Sequence, residues 1–156
     1  MTAMAIDLPP DHGDAAAEYA AVRERAGLID RRDWGVVEAT GRDRASFLHA
    51  LLSNDVKALG PGQGCAATLL DVHGKVQVML GVLVLDDRIL LLLPPGTAQK
   101  TLEALDHYLF AEKVALADVS PETTLLLVAG PAAPALVERA LGAAPGEGAW
   151  SHVAGA

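Results

Sequence analysis

A single cysteine, Cys65, leaves no partner for an internal disulfide and fits a reducing compartment. Positive charge is also scarce: 12 Lys and Arg against 20 Asp and Glu leave a formal charge of −8. The largest basic cluster is Arg23, Arg25, Arg31 and Arg32, too small for a surface that tracks phosphates. Direct nucleic-acid binding is therefore not expected. Long apolar runs are missing as well; the stretch Ile89 to Leu93 is far too short to span a bilayer. The opening MTAMAIDLPPDHGD has neither the basic segment nor the apolar segment of a secretory signal. Five histidines are scattered, with no pair at helical spacing and no neighbouring cysteine, so no metal site is expected. These absences together describe a cytoplasmic protein without membrane contact.

What is present is a chain of 156 residues, 51% hydrophobic and 21% charged, enough to bury a core without covalent staples. Asp14 can cap a helix from Ala15 to Gly27, with Tyr19, Val22 and Ala26 as its apolar stripe. Trp34 to Thr40 favours a strand, because Val36 and Val37 are β-branched and Gly41 ends the run. Asp43 then caps a second helix carrying Phe47, Leu48, Leu51 and Leu52 on one face. The tract from Cys65 to Pro94 divides into three strands at His73–Gly74 and at Asp86–Asp87, both suited to tight turns. Thr97 caps a third helix, followed by strands over Val114–Val119 and Thr123–Val128 and a helix from Pro131 to Leu141. Hairpins interleave with helices, which predicts an α+β fold with a largely antiparallel sheet. The expected organisation is a loose lead-in at 1–13, one α+β domain at 14–142 and an irregular tail at 143–156.

Isolated motifs carry little chemistry. The cluster GPGQG at Gly60 to Gly64 lacks a following Lys-Ser or Lys-Thr, and Pro61 removes an amide donor, so it reads as a turn. Cys65 has no basic neighbour to make it a nucleophile and reads as a small strand residue. Asp71 and Lys75 flank the His73–Gly74 turn, where an exposed ion pair is the default; Lys75 could instead face an anionic ligand. Asn54 and Asp55 end the second helix and suit turn chemistry.

Four stretches taken in order are more specific: EYAAVRERAGLIDRRDWG, TGRDRASFLHALLSNDV, LGPGQG…LLDVHGKV and LLLVAGPAA. Together they resemble the N-terminal half of the aminomethyltransferase superfamily, which includes the glycine-cleavage T-protein and the folate-binding YgfZ-type proteins. The resemblance runs from Glu18 to Ala133 and implies tetrahydrofolate as cofactor. It also implies ligand-binding roles for Trp34, where the family places an apolar residue against the pterin, and for Asn54, Asp71 and Lys75 around the cavity. The family aspartate that faces the folate nitrogens matches Met79 or its neighbour Val78, a pocket tyrosine matches Ala66, and a further aromatic matches Leu83. No catalytic residue is assigned, because an apolar side chain at 79 cannot do a carboxylate's work. GKV and YLFAEKVALADVS are closer to the YgfZ branch, whose members are folate-binding accessory proteins in iron–sulfur cluster assembly or repair, serving cluster enzymes that include tRNA-modifying ones. That function without aminomethyl transfer is the first expectation. A divergent T-protein-like aminomethyltransferase, or a half-size paralogue or fragment that keeps only the fold, are the others. The KGCxxGQE-like motif of the YgfZ C-terminal half does not occur in these 156 residues. The resemblance thus implies self-association through a surface that a second half would cover.

Overall fold

The computed structural model describes residues 8–144, 146 and 148–153. Most of the expected lead-in, and parts of the expected tail, lie outside the described residues. The elements follow the order α1 (Ala15–Glu24), β1 (Gly27–Asp30), β2 (Gly35–Thr40), α2 (Arg44–Leu51), β3 (Gly64–Leu70), β4 (Val76–Val84) and β5 (Arg88–Leu93). The chain continues through α3 (Ala98–Asp106), β6 (Ala115–Asp118), β7 (Leu126–Ala129) and α4 (Ala133–Leu141). The fold is α+β, and every strand pair is antiparallel.

Five strands make the main sheet in the order β3-β4-β5-β2-β6. The hairpins β3–β4 and β4–β5 turn at the two places the charged and glycine-bearing breaks indicated. At the first turn Gly74 has φ +78°, a conformation that residues with a side chain resist. Helices α2 and α3 cover one face of this sheet. Phe47, Leu48 and Leu105 enter a core with Val37, Leu69, Val82, Ile89, Leu91 and Leu93, all buried. Thr101 is the buried polar residue of α3, and its hydroxyl donates to the Thr97 carbonyl at 2.8 Å, which removes the cost of burying it. Strand β5 alternates: Ile89, Leu91 and Leu93 are buried, while Leu90 and Leu92 are half-buried on the opposite face. The all-leucine run therefore does not mark a strand covered on both sides. Helices α2 and α3 lie on one side only, and the other side is open at Met79 but covered at Val36 and Gly81.

Several expectations are corrected. Neither Asp43 nor Thr97 caps its helix with a side-chain hydrogen bond. Helix α1 stops at Glu24, and Gly27, expected as its stop signal, opens strand β1 instead. A side chain at Gly27 would strike Val22, so glycine permits the close return of the strand past the helix. Tyr19 is exposed and takes no part in an apolar stripe. The strand expected over Thr123–Val128 forms later, as β7, and leaves the main sheet to pair with β1 in a separate two-stranded ribbon. Leu28, Ile29, Leu126 and Leu127 of that ribbon all remain exposed.

Candidate functional site: the open face of the sheet

Side chains alternate across a strand, so each core residue of β4 is flanked by residues on the open face. Val78, Leu80, Val82 and Val84 are buried; Met79, Gly81 and Leu83 point the other way, while Gln77 sits at a register shift and lines a small recess with Thr97 and Thr101 on the helix side. Register then builds rows across the sheet. Thr68 lies opposite Met79, Ala66 opposite Gly81 opposite Leu92 opposite Val36, and Gly64 opposite Leu83 opposite Leu90 opposite Glu38. Of the two positions that the resemblance matches to the family aspartate, Val78 is sealed in the core, whereas Met79 is 68% exposed. A group at 79 is thus available to a ligand, and it is a thioether.

The charge on this face comes from β2 and β5. Arg88 Nη1 lies 2.6 Å from Glu38 Oε2, and its Nε and Nη2 donate to Asp87 at 2.9 and 2.7 Å. Hydrogen bonds donated to Asp87 first, and to Glu38 second, hold the Arg88 guanidinium above its ordinary range. The same contact with Arg88 holds the Asp87 carboxyl below the usual carboxylate range. Glu38, on β2 and two strands away from β4, is consequently committed to a cation. Cys65, at the start of β3, has its thiol pushed up by burial, which suits packing and not nucleophilic attack.

The four residues put forward from sequence are not brought together. Trp34 precedes β2, separated from β3 by β4 and β5. Its ring lies 4.9 Å beneath the Arg31 guanidinium, which is itself held by Asp33 at 3.1 Å, and its indole Nε1 is buried with no hydrogen-bond partner among the described residues. Asn54 is tied at both ends: Nδ2 donates to the Ala66 carbonyl at 2.9 Å and Oδ1 accepts from the Asp55 amide at 2.8 Å. Together with Ser53, whose hydroxyl accepts from the Thr68 amide at 2.9 Å, it satisfies the outer edge of β3. Asp71 Oδ1 accepts from the amides of His73 and Lys75 at 2.8 and 2.9 Å, closing the hairpin turn. The expected Asp71–Lys75 ion pair is not among those of the described residues; the carboxylate is taken by backbone N–H groups instead. Asp71 also lines a shallow depression of about 310 Å³ with Leu51, Ser53, Val72 and Tyr108, beside the ends of α2 and α3. No cluster of potential metal ligands occurs among the described residues.

The contact that sequence reasoning missed is at Gly81. A Cβ there would lie 2.5 Å from Cζ3 and 2.9 Å from Cη2 of Trp150, whose indole rests on the sheet at this point. The available signal was a glycine inside a mostly apolar strand, which marks close approach by another group. That slot accepts a flat aromatic ring, the shape a pterin would present.

Comparison with known proteins agrees with this architecture. Residues 8–150 match the GCVT N-terminal domain family. The chain belongs to that family. As a GCVT N-terminal domain it is similar to the aminomethyltransferase of Bacillus subtilis, 34% identical over 133 residues, covering 85% of this chain and 36% of that protein. The aminomethyltransferase of Prochlorococcus marinus (strain NATL2A) is 28% identical over 141 residues, covering 86% of this chain and 38% of its own. A putative chloroplastic transferase of Arabidopsis thaliana is 31% identical over 105 residues, covering 67% of this chain and 24% of its own. Among solved structures, the glycine cleavage system aminomethyltransferase T of Bartonella henselae superposes with TM-score 0.73 at 26% identity, over 80% of this chain and 34% of that one. The GCVT N-terminal domain described here thus spans about a quarter to two fifths of the curated relatives it matches. Among its described residues, no helix is long and apolar enough to cross a membrane.

Proposed function

We propose that this GCVT N-terminal domain supplies the tetrahydrofolate-binding surface of an aminomethyltransferase-type protein, with the open face of the sheet as the ligand side. The observation that carries the reading is the outward exposure of Met79, at the position matched to the family's folate-facing aspartate, beside the apolar Leu83 and Leu92. The slot over Gly81 supports the fit, since a planar ring already rests there. Bound tetrahydrofolate would supply the nitrogen that accepts a one-carbon unit. The residues of this chain would give the pterin an apolar floor.

For the whole protein, the names of the relatives favour aminomethyl transfer, and the family resemblance implies tetrahydrofolate as its acceptor. A second reading, favoured by Met79 itself, is a folate-binding YgfZ-type accessory role in iron–sulfur cluster assembly or repair, in the cytoplasm, with cluster enzymes as clients. A thioether neither takes up a proton nor balances a developing positive charge, so position 79 contributes binding and not catalysis. Titration calorimetry with tetrahydrofolate tests the shared proposal: saturable heat is expected, and no heat together with no thermal shift at millimolar ligand overturns it. A transfer assay then separates the two readings. Formation of one-carbon-loaded tetrahydrofolate by the protein that contains this domain supports the first, and folate binding without turnover supports the second.

A further inference from the structure

The segment that carries Trp150 lies along the edge of the proposed ligand face, on three glycines. A Cβ at Gly81 would meet the Trp150 ring; one at Gly64 would lie 3.0 Å from the Trp150 carbonyl oxygen; one at Gly62 would lie 3.3 Å from the His152 carbonyl oxygen. The attachment is directional as well as close. The His152 amide donates to the Gly62 carbonyl at 2.9 Å, and the imidazole, with its proton on Nε2, donates to the Val84 carbonyl at 2.9 Å. The GPGQG cluster, which carries no phosphate chemistry, thus serves as the seat for a returning piece of chain.

The seat is shallow and its occupant is strained. Trp150 has φ +65°, the one non-glycine residue with positive φ among those described, and its side chain stays substantially exposed. An indole kept out of the core, in an unfavourable backbone conformation, is held by local contacts that a competing ring can replace. We propose that the slot over Gly81 is a receptor for a flat aromatic heterocycle, that Trp150 fills it from within the chain, and that residues 150–152 act as a plug displaced when such a ring binds. That the ring is a pterin rests on the folate reading; that the slot receives a ring does not. A plug closed most of the time lowers the apparent affinity by the fraction of molecules that are open.

Two experiments separate these claims. The first uses Trp150→Ala, which empties the slot, and free indole as the probe. A saturable rise in melting temperature with indole in the variant, absent in the parent chain, is expected; no rise in the variant overturns the slot. The second measures binding of 5-formyltetrahydrofolate to the parent chain, to Trp150→Ala and to His152→Ala, with hydrogen exchange at the His152 amide. Both variants are expected to bind about fivefold more tightly, and the ligand is expected to release the His152 amide in the parent chain. Equal affinities with that amide still protected overturn the plug and leave the folate reading standing. Indole rescue without folate binding to any form overturns the folate reading and leaves the slot.

Discussion

Oδ1 of Asp71 accepts the backbone amide of Lys75 at 2.9 Å, and the two side chains form no ion pair. The carboxylate works as a turn device whose second bond, to the His73 amide, fixes the loop between β3 and β4. Asp71→Ala is therefore expected to lower stability by about 1 kcal/mol, the net worth of such hydrogen bonds. Lys75→Ala should stay within about 0.5 kcal/mol of the parent chain, as surface substitutions do. Urea denaturation of both variants checks this, and equal losses would restore the ion pair.

Gly81→Ala places a methyl group against the Trp150 ring, the mobile end of a half-exposed side chain. The sheet should survive, because the colliding atoms belong to the returning segment and not to the core. Tryptophan emission from a Trp34→Phe background should shift to longer wavelength and become more accessible to acrylamide. Unchanged emission with a large fall in melting temperature would mean that the glycine serves the sheet itself.

Acid should destabilise the protein through carboxylates held by arginine. Asp87 and Asp30 have folded pKa values lowered from 3.8, by hydrogen bonds from Arg88 and Arg32 respectively. A lowered folded pKa gives stability that is present above the unfolded value and lost as pH falls through the folded one. Melting temperature should hold above pH 5 and decline below about pH 4, and Asp87→Asn should flatten part of that decline. Melts from pH 2.5 to 6 test it; a variant as acid-sensitive as the parent would assign the loss elsewhere.

The ribbon of β1 and β7 exposes Leu28 and Leu126 on one face and Ile29 and Leu127 on the other, and a two-stranded ribbon is marginal in water unless its apolar surface is covered. Concentration-dependent self-association is the expected consequence. Light scattering should show a mass above the monomer at high concentration, reduced by Leu126→Lys. A monomer at every concentration would remove this surface as a site of contact.

Local patterning was enough to read much of the fold. The β-branched and leucine alternation of β2 to β5, the breaks at His73–Gly74 and Asp86–Asp87, and the face of α2 are interactions within a few residues, so neighbouring side chains announce them. Strand β1 was illegible because GLID is four residues long and follows a helix directly; only its distant partner β7 makes it a strand. Family resemblance placed position 79 at the ligand side, but the choice between Val78 and Met79 waited for the pleat, which buries one and exposes the other.

By itself the sequence determined the α+β class, the antiparallel hairpins, the turn role of the GPGQG cluster and the superfamily. Each follows from local periodicity, turn chemistry or an ordered set of short motifs. Tertiary structure alone decided that helices cover a single face of the sheet, that Glu38 is engaged by Arg88, and that Trp150 lies on Gly81. Residues 81 and 150 are far apart in the chain, and no local signal at 150 indicates where its ring comes to rest. Such contacts are set by register between strands and by the space a missing side chain leaves, which exist only once the chain has folded.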